Sequence, residues 1–126
     1  MDPQVILYSL FGPFLLWPVE YFFPYPYIVE ELFKCLVVWF GSKSAKSFIF
    51  AGVVFAFTET VFYVLNVNAR GSLVLMLVRF ISTSLLHSTT FLIIYLSAKR
   101  NKKYIAVGFI VSALIHYLYN LYVPGY

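Results

Sequence analysis

The segment SFIFAGVVFAFTETVFYVLNV, residues Ser47–Val67, contains one charged side chain, Glu59, in an otherwise apolar or small-residue run. A helix needs about 20 largely apolar residues to cross the hydrocarbon core of a bilayer. The segment meets that length, so it predicts a transmembrane helix that carries one carboxylate into the membrane.

The rest of the chain has the same apolar character. Of its 126 residues, 62% are hydrophobic and 11% are charged, whereas about 25% are charged in an average soluble domain. This shortage of solvating side chains excludes an ordinary water-soluble core. We therefore predict one integral-membrane domain over residues 1–126, an all-α polytopic transmembrane bundle of four to five helices.

Four further apolar segments supply the other helices. They are Val5–Val19, Ile28–Phe40, Gly71–Ser97 and Tyr104–Val123. The first is interrupted by Gly12, Pro13 and Pro18, so we expect it either to span the bilayer or to re-enter on one side. The second is only marginally long enough and carries three charges, so neighbouring helices must shield it.

The distribution of basic residues predicts how the chain is oriented in the membrane. The loops 41–46 and 98–103 lie two spans apart, hence on the same side, and both are lysine-rich. The intervening turn, with Asn66, Asn68 and Arg70, has one basic residue. Because cytoplasmic loops carry the excess of lysine and arginine, we expect both lysine-rich loops in the cytoplasm and the C-terminus on the extracytoplasmic side. The expected partner of these charges is the lipid bilayer, and nothing in the pattern suggests nucleic acid.

Polar side chains recur at helical spacing in four segments. An ionisable group inside a bilayer costs several kcal/mol unless it faces the bundle interior or a water-filled cavity. The polar and small stripes are Glu30, Glu31 and Lys34; Gly52, Ala56, Glu59, Tyr63 and Asn66; Arg79, Thr83, His87 and Thr90; and Ser112, His116 and Asn120. Each stripe predicts one polar helix face, and we expect these faces to meet inside the bundle.

The adjacent acids Glu30 and Glu31 share a single cation. Lys34 follows them by four and three residues, so it can pair with one or both on a helix face. One lysine cannot neutralise two carboxylates, which leaves one of them available as a base. The alternative is that Glu30 or Glu31 with Lys34, and Glu59 with Arg79, are buried pairs that only fix helix register.

Depth in the membrane gives a further expectation. Counted from Pro24, Val67 and Val123 as outer ends, Glu31, Glu59 and His116 each lie about seven residues in, roughly 10 Å. His87 lies about 24 Å from the start of its segment. It is therefore expected deeper than the others, unless that long helix is tilted or begins outside the bilayer.

Four motifs occur in order, each on a separate apolar segment. Glu30–Lys34 reads EExxK, Gly52–Glu59 reads GxxFAxxE, Arg79 is followed by His87, and His116–Asn120 reads HxxxN. Together they resemble the PrsW family of intramembrane proteases, in the superfamily of the CAAX prenyl endopeptidases and Abi proteins.

The resemblance implies an activity and a site. The implied reaction is hydrolysis of a peptide bond of a membrane-protein substrate, with a glutamate of the EE pair, for which we favour Glu30, activating water. The implied site residues are Glu30, Glu31, Glu59, His87, His116 and Asn120. Thr60 stands where the family commonly has asparagine, and the chain is short. The short length leaves open whether the chain is a minimal core, an incomplete enzyme or a protomer that needs partners, with a homo-oligomer as one such assembly.

Two chemical schemes stay open under this resemblance. In one, Glu59, His87 and His116 hold a catalytic Zn²⁺ with water in its open position. In the other, which needs no metal, a histidine shuttles the proton and Asn120 donates to the oxyanion.

Two non-catalytic functions compete with hydrolysis. One is a membrane scaffold or chaperone that docks other transmembrane helices, and the other is a proton or ion conduit. A protease needs the EE pair to face water, whereas a scaffold is expected to have its charged groups fully paired.

Overall fold

The computed structural model describes residues 1–41, 44–66 and 73–123, and these residues form helices without any strand. The helices are α1 (Pro3–Phe22), α2 (Pro26–Phe40), α3 (Ala45–Asn66), α4 (Leu73–Arg100) and α5 (Ile105–Tyr122), with a 3₁₀ turn at Lys102–Tyr104 before α5. The predicted all-α helical bundle is confirmed. The turn residues Asn68 and Arg70, Lys43 of the first basic loop, and residues 124–126 lie outside the described residues.

Four of these helices are long and apolar enough to cross a membrane. The candidate spans are Pro3–Phe22, Ala45–Leu65, Leu73–Arg100 and Lys102–Tyr122, the last of which includes the 3₁₀ turn before α5. The exception, α2, has 15 residues, or about 22 Å at the helical rise. It packs against α1, α4 and α5, which provides the shielding that its buried charges require.

The first helix is continuous despite its prolines. The Asp2 side chain caps it by accepting from the Gln4 backbone N–H at 2.9 Å, and Pro3 occupies the first turn. Pro13 and Pro18 lie inside the helix without ending it. In apolar surroundings an interrupted helix leaves backbone groups without partners, so the helix persists and gives up only the hydrogen bonds that proline cannot make.

The closest helix pair is α3 and α4. At Gly52 an added Cβ would lie 2.3 Å from the backbone N of Ser88, and the Ser88 hydroxyl donates to the Ile49 carbonyl at 2.8 Å. Gly52 and Ala56 are both buried, so the small residues of this α3 stripe form the surface that packs closely against α4. This close approach brings Glu59 of α3 beside His87 of α4.

Candidate functional site

A buried lysine lies at the centre of the polar cluster. The Lys34 side chain is fully buried. Its Nζ donates to Glu31 Oε1 and Thr90 Oγ1, both at 2.7 Å, and lies 2.8 Å from His87 Nδ1. An ammonium has three donors and no acceptor, so these three contacts satisfy it completely.

The lysine determines the tautomer of His87. Because Lys34 can only donate, His87 Nδ1 must accept, and the ring proton is assigned to Nε2. His87 Nε2 then donates to Glu59 Oε2 at 2.6 Å, while Arg79 Nη2 donates to Glu59 Oε1 at 3.3 Å. The Glu59 carboxylate is therefore held between a histidine and an arginine.

A second carboxylate–histidine pair joins α2 to α5. His116 Nδ1 lies 2.8 Å from Glu31 Oε1, the oxygen that also accepts from Lys34. The imidazole rings of His116 and His87 stand nearly perpendicular, 5.5 Å apart between centroids. In the neutral tautomer whose Nδ1 donates to Glu31, Nε2 of His116 presents its lone pair.

Glu30 differs from its neighbour Glu31. Its Oε2 atom is buried, has no hydrogen-bond partner in the described part of the chain, and lies 3.8 Å from His116 Nε2. One oxygen of Glu31 also lacks a partner, but the other accepts two hydrogen bonds. Glu30 is thus the carboxylate of the EE pair that no lysine or arginine of the described residues compensates.

A cavity of about 230 Å³ borders this cluster. Four helices line it, with the residues Pro13, Trp17, Glu20, Glu30, Phe55, Glu59, Phe62, Tyr63 and Arg79. The Arg79 guanidinium lies 4.3 Å from the centroid of the Tyr63 ring. The cavity therefore exposes Glu30 beside a cation and two other carboxylates.

Glu20 lines the cavity of the site, and no sequence pattern predicted it there. The predicted apolar run stops at Val19, immediately before Glu20, whereas α1 continues to Phe22. The available signal was a lone carboxylate surrounded by Trp17, Tyr21 and Phe22, since a charge within such a run needs a protein partner or a cavity.

The structure brings together five of the six predicted site residues. Glu30, Glu31, Glu59, His87 and His116 lie in one connected cluster. Asn120 does not join them: it lies one turn beyond His116 on α5 and is exposed. Its role as an oxyanion donor stays a prediction.

His87 lies level with the other site residues, so the expected difference in depth does not arise. Its bond to Glu59 and its ring contact with His116 place all three together. The reason is the length of α4: its 28 residues extend about 42 Å, beyond a hydrocarbon core of about 30 Å. Counting from the start of that helix therefore overestimates depth.

The three side chains whose possible metal-ligand atoms lie closest together include Glu30 and not Glu59. Ligand atoms of Glu30, His87 and His116 lie within 4.8 Å of one another, and the predicted third ligand, Glu59, is not in this group. Both nitrogens of His87 are already bonded, one of them to the Lys34 ammonium, and a zinc ligand must present a lone pair. As arranged, the residues do not fit a three-ligand zinc site, and the zinc scheme stays a prediction.

Comparison with known proteins finds no family model, no curated protein and no solved structure that matches this chain. The four-motif resemblance to the PrsW family therefore also stays a prediction.

Proposed function

We propose that this chain is an intramembrane endopeptidase that hydrolyses a peptide bond of a membrane-protein substrate with water activated by Glu30. The observation that carries the proposal is the contrast within the cluster. Glu31 and Glu59 are held by cations and histidines, whereas buried Glu30 has an oxygen without a hydrogen-bond partner among the described residues, with His116 at 3.8 Å beside it, and faces a cavity. An uncompensated buried carboxylate costs stability, and active sites are where proteins keep such groups.

The water is held by two acceptors. Glu30 Oε2 and His116 Nε2, 3.8 Å apart, are both within hydrogen-bond reach of one water molecule, about 2.8 Å from each. Such a water donates both protons and directs an oxygen lone pair at the substrate. Glu31 supports this geometry from behind, because its bond to His116 Nδ1 orients the ring as a carboxylate orients the histidine of a catalytic triad.

The reaction then proceeds by general base and general acid steps. Glu30 takes the water proton as the oxygen attacks the carbonyl carbon, which forms a tetrahedral oxyanion. The C–N bond breaks as the same proton passes from Glu30 to the leaving amine. Arg79 lines the cavity and is oriented by Glu59 and Tyr63, so its guanidinium is the cation that stabilises the oxyanion.

The substrate enters from the bilayer in this proposal. Trp17 and Phe62 line the cavity beside the acids, with their rings stacked 6.3 Å apart, so an apolar segment finds apolar contacts next to the reactive carboxylate. The orientation belongs to the same proposal: loops 41–46 and 98–103 face the cytoplasm, and the C-terminus is extracytoplasmic.

The test compares peptide termini in membranes that contain the wild-type chain or Glu30→Gln at equal amounts. Mass spectrometry of new N-termini detects cleavage in whichever membrane protein of the sample is the substrate. We expect termini within or beside apolar segments in the wild-type sample, reduced about a hundredfold or more in Glu30→Gln and His116→Ala, because acid–base catalysis contributes about that factor.

Asp2→Asn is the matched control for the carboxyl-to-amide change. Asparagine caps a helix as well as aspartate does, and Asp2 contacts Ser47, about 18 Å along α3 from Glu59. Asp2→Asn should keep the wild-type termini. Identical termini in wild type and Glu30→Gln would exclude Glu30 as the base.

A scaffold function is the second candidate, and the pairing of Lys34, Glu31, Glu59 and Arg79 favours it. In that case Glu30→Gln leaves the termini unchanged, while loss of the Lys34 network alters which membrane proteins purify with the chain.

A further inference from the structure

A second cavity lies at the end of the bundle where α2 and α4 finish. It has a volume of about 450 Å³ and shares no lining residue with the acidic cavity. Trp39 comes from α2, Tyr95 and Lys99 from α4, and Asn101 and Lys102 from the connection to α5. This volume lies in the range of ligand pockets, roughly 300–1,000 Å³.

The charge of this second cavity is positive. Lys99 and Lys102 line it, and no acidic residue does. Of the five acidic residues of the chain, four are the glutamates of α1, α2 and α3, which belong to the cluster or cavity described above. Asp2 is at this end of the bundle, beside Ser47, and does not line the cavity. An anion is the ligand that such a lining recognises.

Aromatic rings hold the two lysines at the cavity wall. Lys102 Nζ lies 4.5 Å from the centroid of the Trp39 ring, and Lys99 Nζ lies 6.0 Å from that of Tyr95. Both distances are within the range of cation–π attraction. Asn101 adds an amide: its Oδ1 accepts from the Lys103 backbone N–H, so the Nδ2 group is left to donate. Two cations and one amide donor thus border one opening.

The location selects the kind of anion. Tryptophan and tyrosine concentrate at the level of the lipid headgroups, and basic pockets between transmembrane helices bind anionic headgroups. The helices on either side expose Leu36, Phe40 and Leu96, which offer apolar surface to acyl chains. We propose that this cavity binds the headgroup phosphate of an anionic phospholipid through Lys99, Lys102 and Asn101.

The test is native mass spectrometry of the full chain, purified and freed of lipid, with added phosphatidylglycerol or phosphatidylcholine. We expect one retained phosphatidylglycerol and weaker retention of phosphatidylcholine. Since each lysine contributes about fivefold near an anionic headgroup, the double variant Lys99→Gln/Lys102→Gln should bind phosphatidylglycerol about 25-fold more weakly. Both lysine side chains are exposed, so the fold is expected to persist.

Lys103→Gln is the matched control, because Lys103 is next in sequence and does not line the cavity; it should bind as the wild type does. Replacing Lys99 and Lys102 with arginine should retain binding of phosphatidylglycerol. The proposal is overturned by equal retention of the two lipids, by unchanged binding in the double glutamine variant, or by equal weakening in Lys103→Gln. Displacement of the lipid by equimolar inorganic phosphate also overturns it, because the ligand is then a soluble phosphate.

Discussion

Glu30 and Glu31 are adjacent in the sequence and have different surroundings. Successive residues of an α-helix point about 100° apart, so Glu31 enters the network of Lys34 and His116 while Glu30 faces the cavity. Two identical side chains thus differ in partners. This is the physical basis for assigning the base to one and the positioning of His116 to the other.

Lys34→Met removes the charge of the buried lysine and keeps most of its volume. Glu31 then remains as a buried carboxylate without its cation, which costs about 3–5 kcal/mol of unfolding free energy. Thermal unfolding of the purified chain in detergent measures the loss. Adding Glu31→Gln should restore at least half of it, because the unpaired charge is gone.

Exposed Lys103 supplies the control for this change. Lys103→Met should alter the unfolding free energy by no more than about 0.5 kcal/mol. A Lys34→Met protein as stable as the wild type would show that the Lys34 network does not hold the helices together.

Helical spacing predicted part of this network and missed the rest. The pair Glu31–Lys34 follows from a spacing of three residues, and the pair Glu59–Arg79 from two polar helix faces that meet. Both pairs are present. The contact between Lys34 and His87 joins residues 53 positions apart. No periodicity specifies such a contact, so the tautomer of His87 and the misfit of zinc could be found only in three dimensions.

At the scale of helices, Gly52 controls how closely α3 and α4 approach. A methyl group there meets the backbone of Ser88 and His87 at 2.3–2.6 Å, and backbone atoms cannot rotate away. We expect Gly52→Ala to cost about 1–3 kcal/mol of unfolding free energy, although alanine is the better helix former. It should also reduce the proposed proteolysis, because it moves His87 away from Glu59.

Gly12→Ala is the comparison for Gly52→Ala. The added methyl group at Gly12 meets the ring of Phe33 at 2.6 Å, and that side chain can turn aside. Its cost should stay below about 1 kcal/mol. Equal losses for the two variants would mean that close packing of α3 on α4 is not what positions the site.

Helix ends were harder to predict than helix existence. Composition and length predicted the apolar helices, yet α1 runs through two prolines and three residues past the predicted end, to Phe22. Local proline rules assume that water can receive the freed backbone groups, which an apolar environment does not allow. Glu20 was missed because the predicted apolar run stopped at this charged residue.

At the scale of the whole molecule, the fold was predictable and the cavity was not. Only 11% of the residues are charged, so the chain is expected in a bilayer. There its backbone N–H and C=O groups must bond to one another, which favours an all-helical bundle. The acidic cavity needs side chains from four helices to converge, which depends on helix tilt and rotation. Sequence periodicity predicts which face of each helix is polar, but it does not predict the tilt or the rotation of the helix.

The stability of the whole bundle tests the central claim, that Glu30 is a functional carboxylate and Glu31 a structural one. The measurement is thermal unfolding of purified Glu30→Gln and Glu31→Gln, side by side. We expect Glu30→Gln to unfold at or above the wild-type temperature, because it removes an uncompensated buried carboxylate, and Glu31→Gln to unfold several degrees lower, because Lys34 loses its counter-ion. The reverse order, or equal losses in both, would contradict the account.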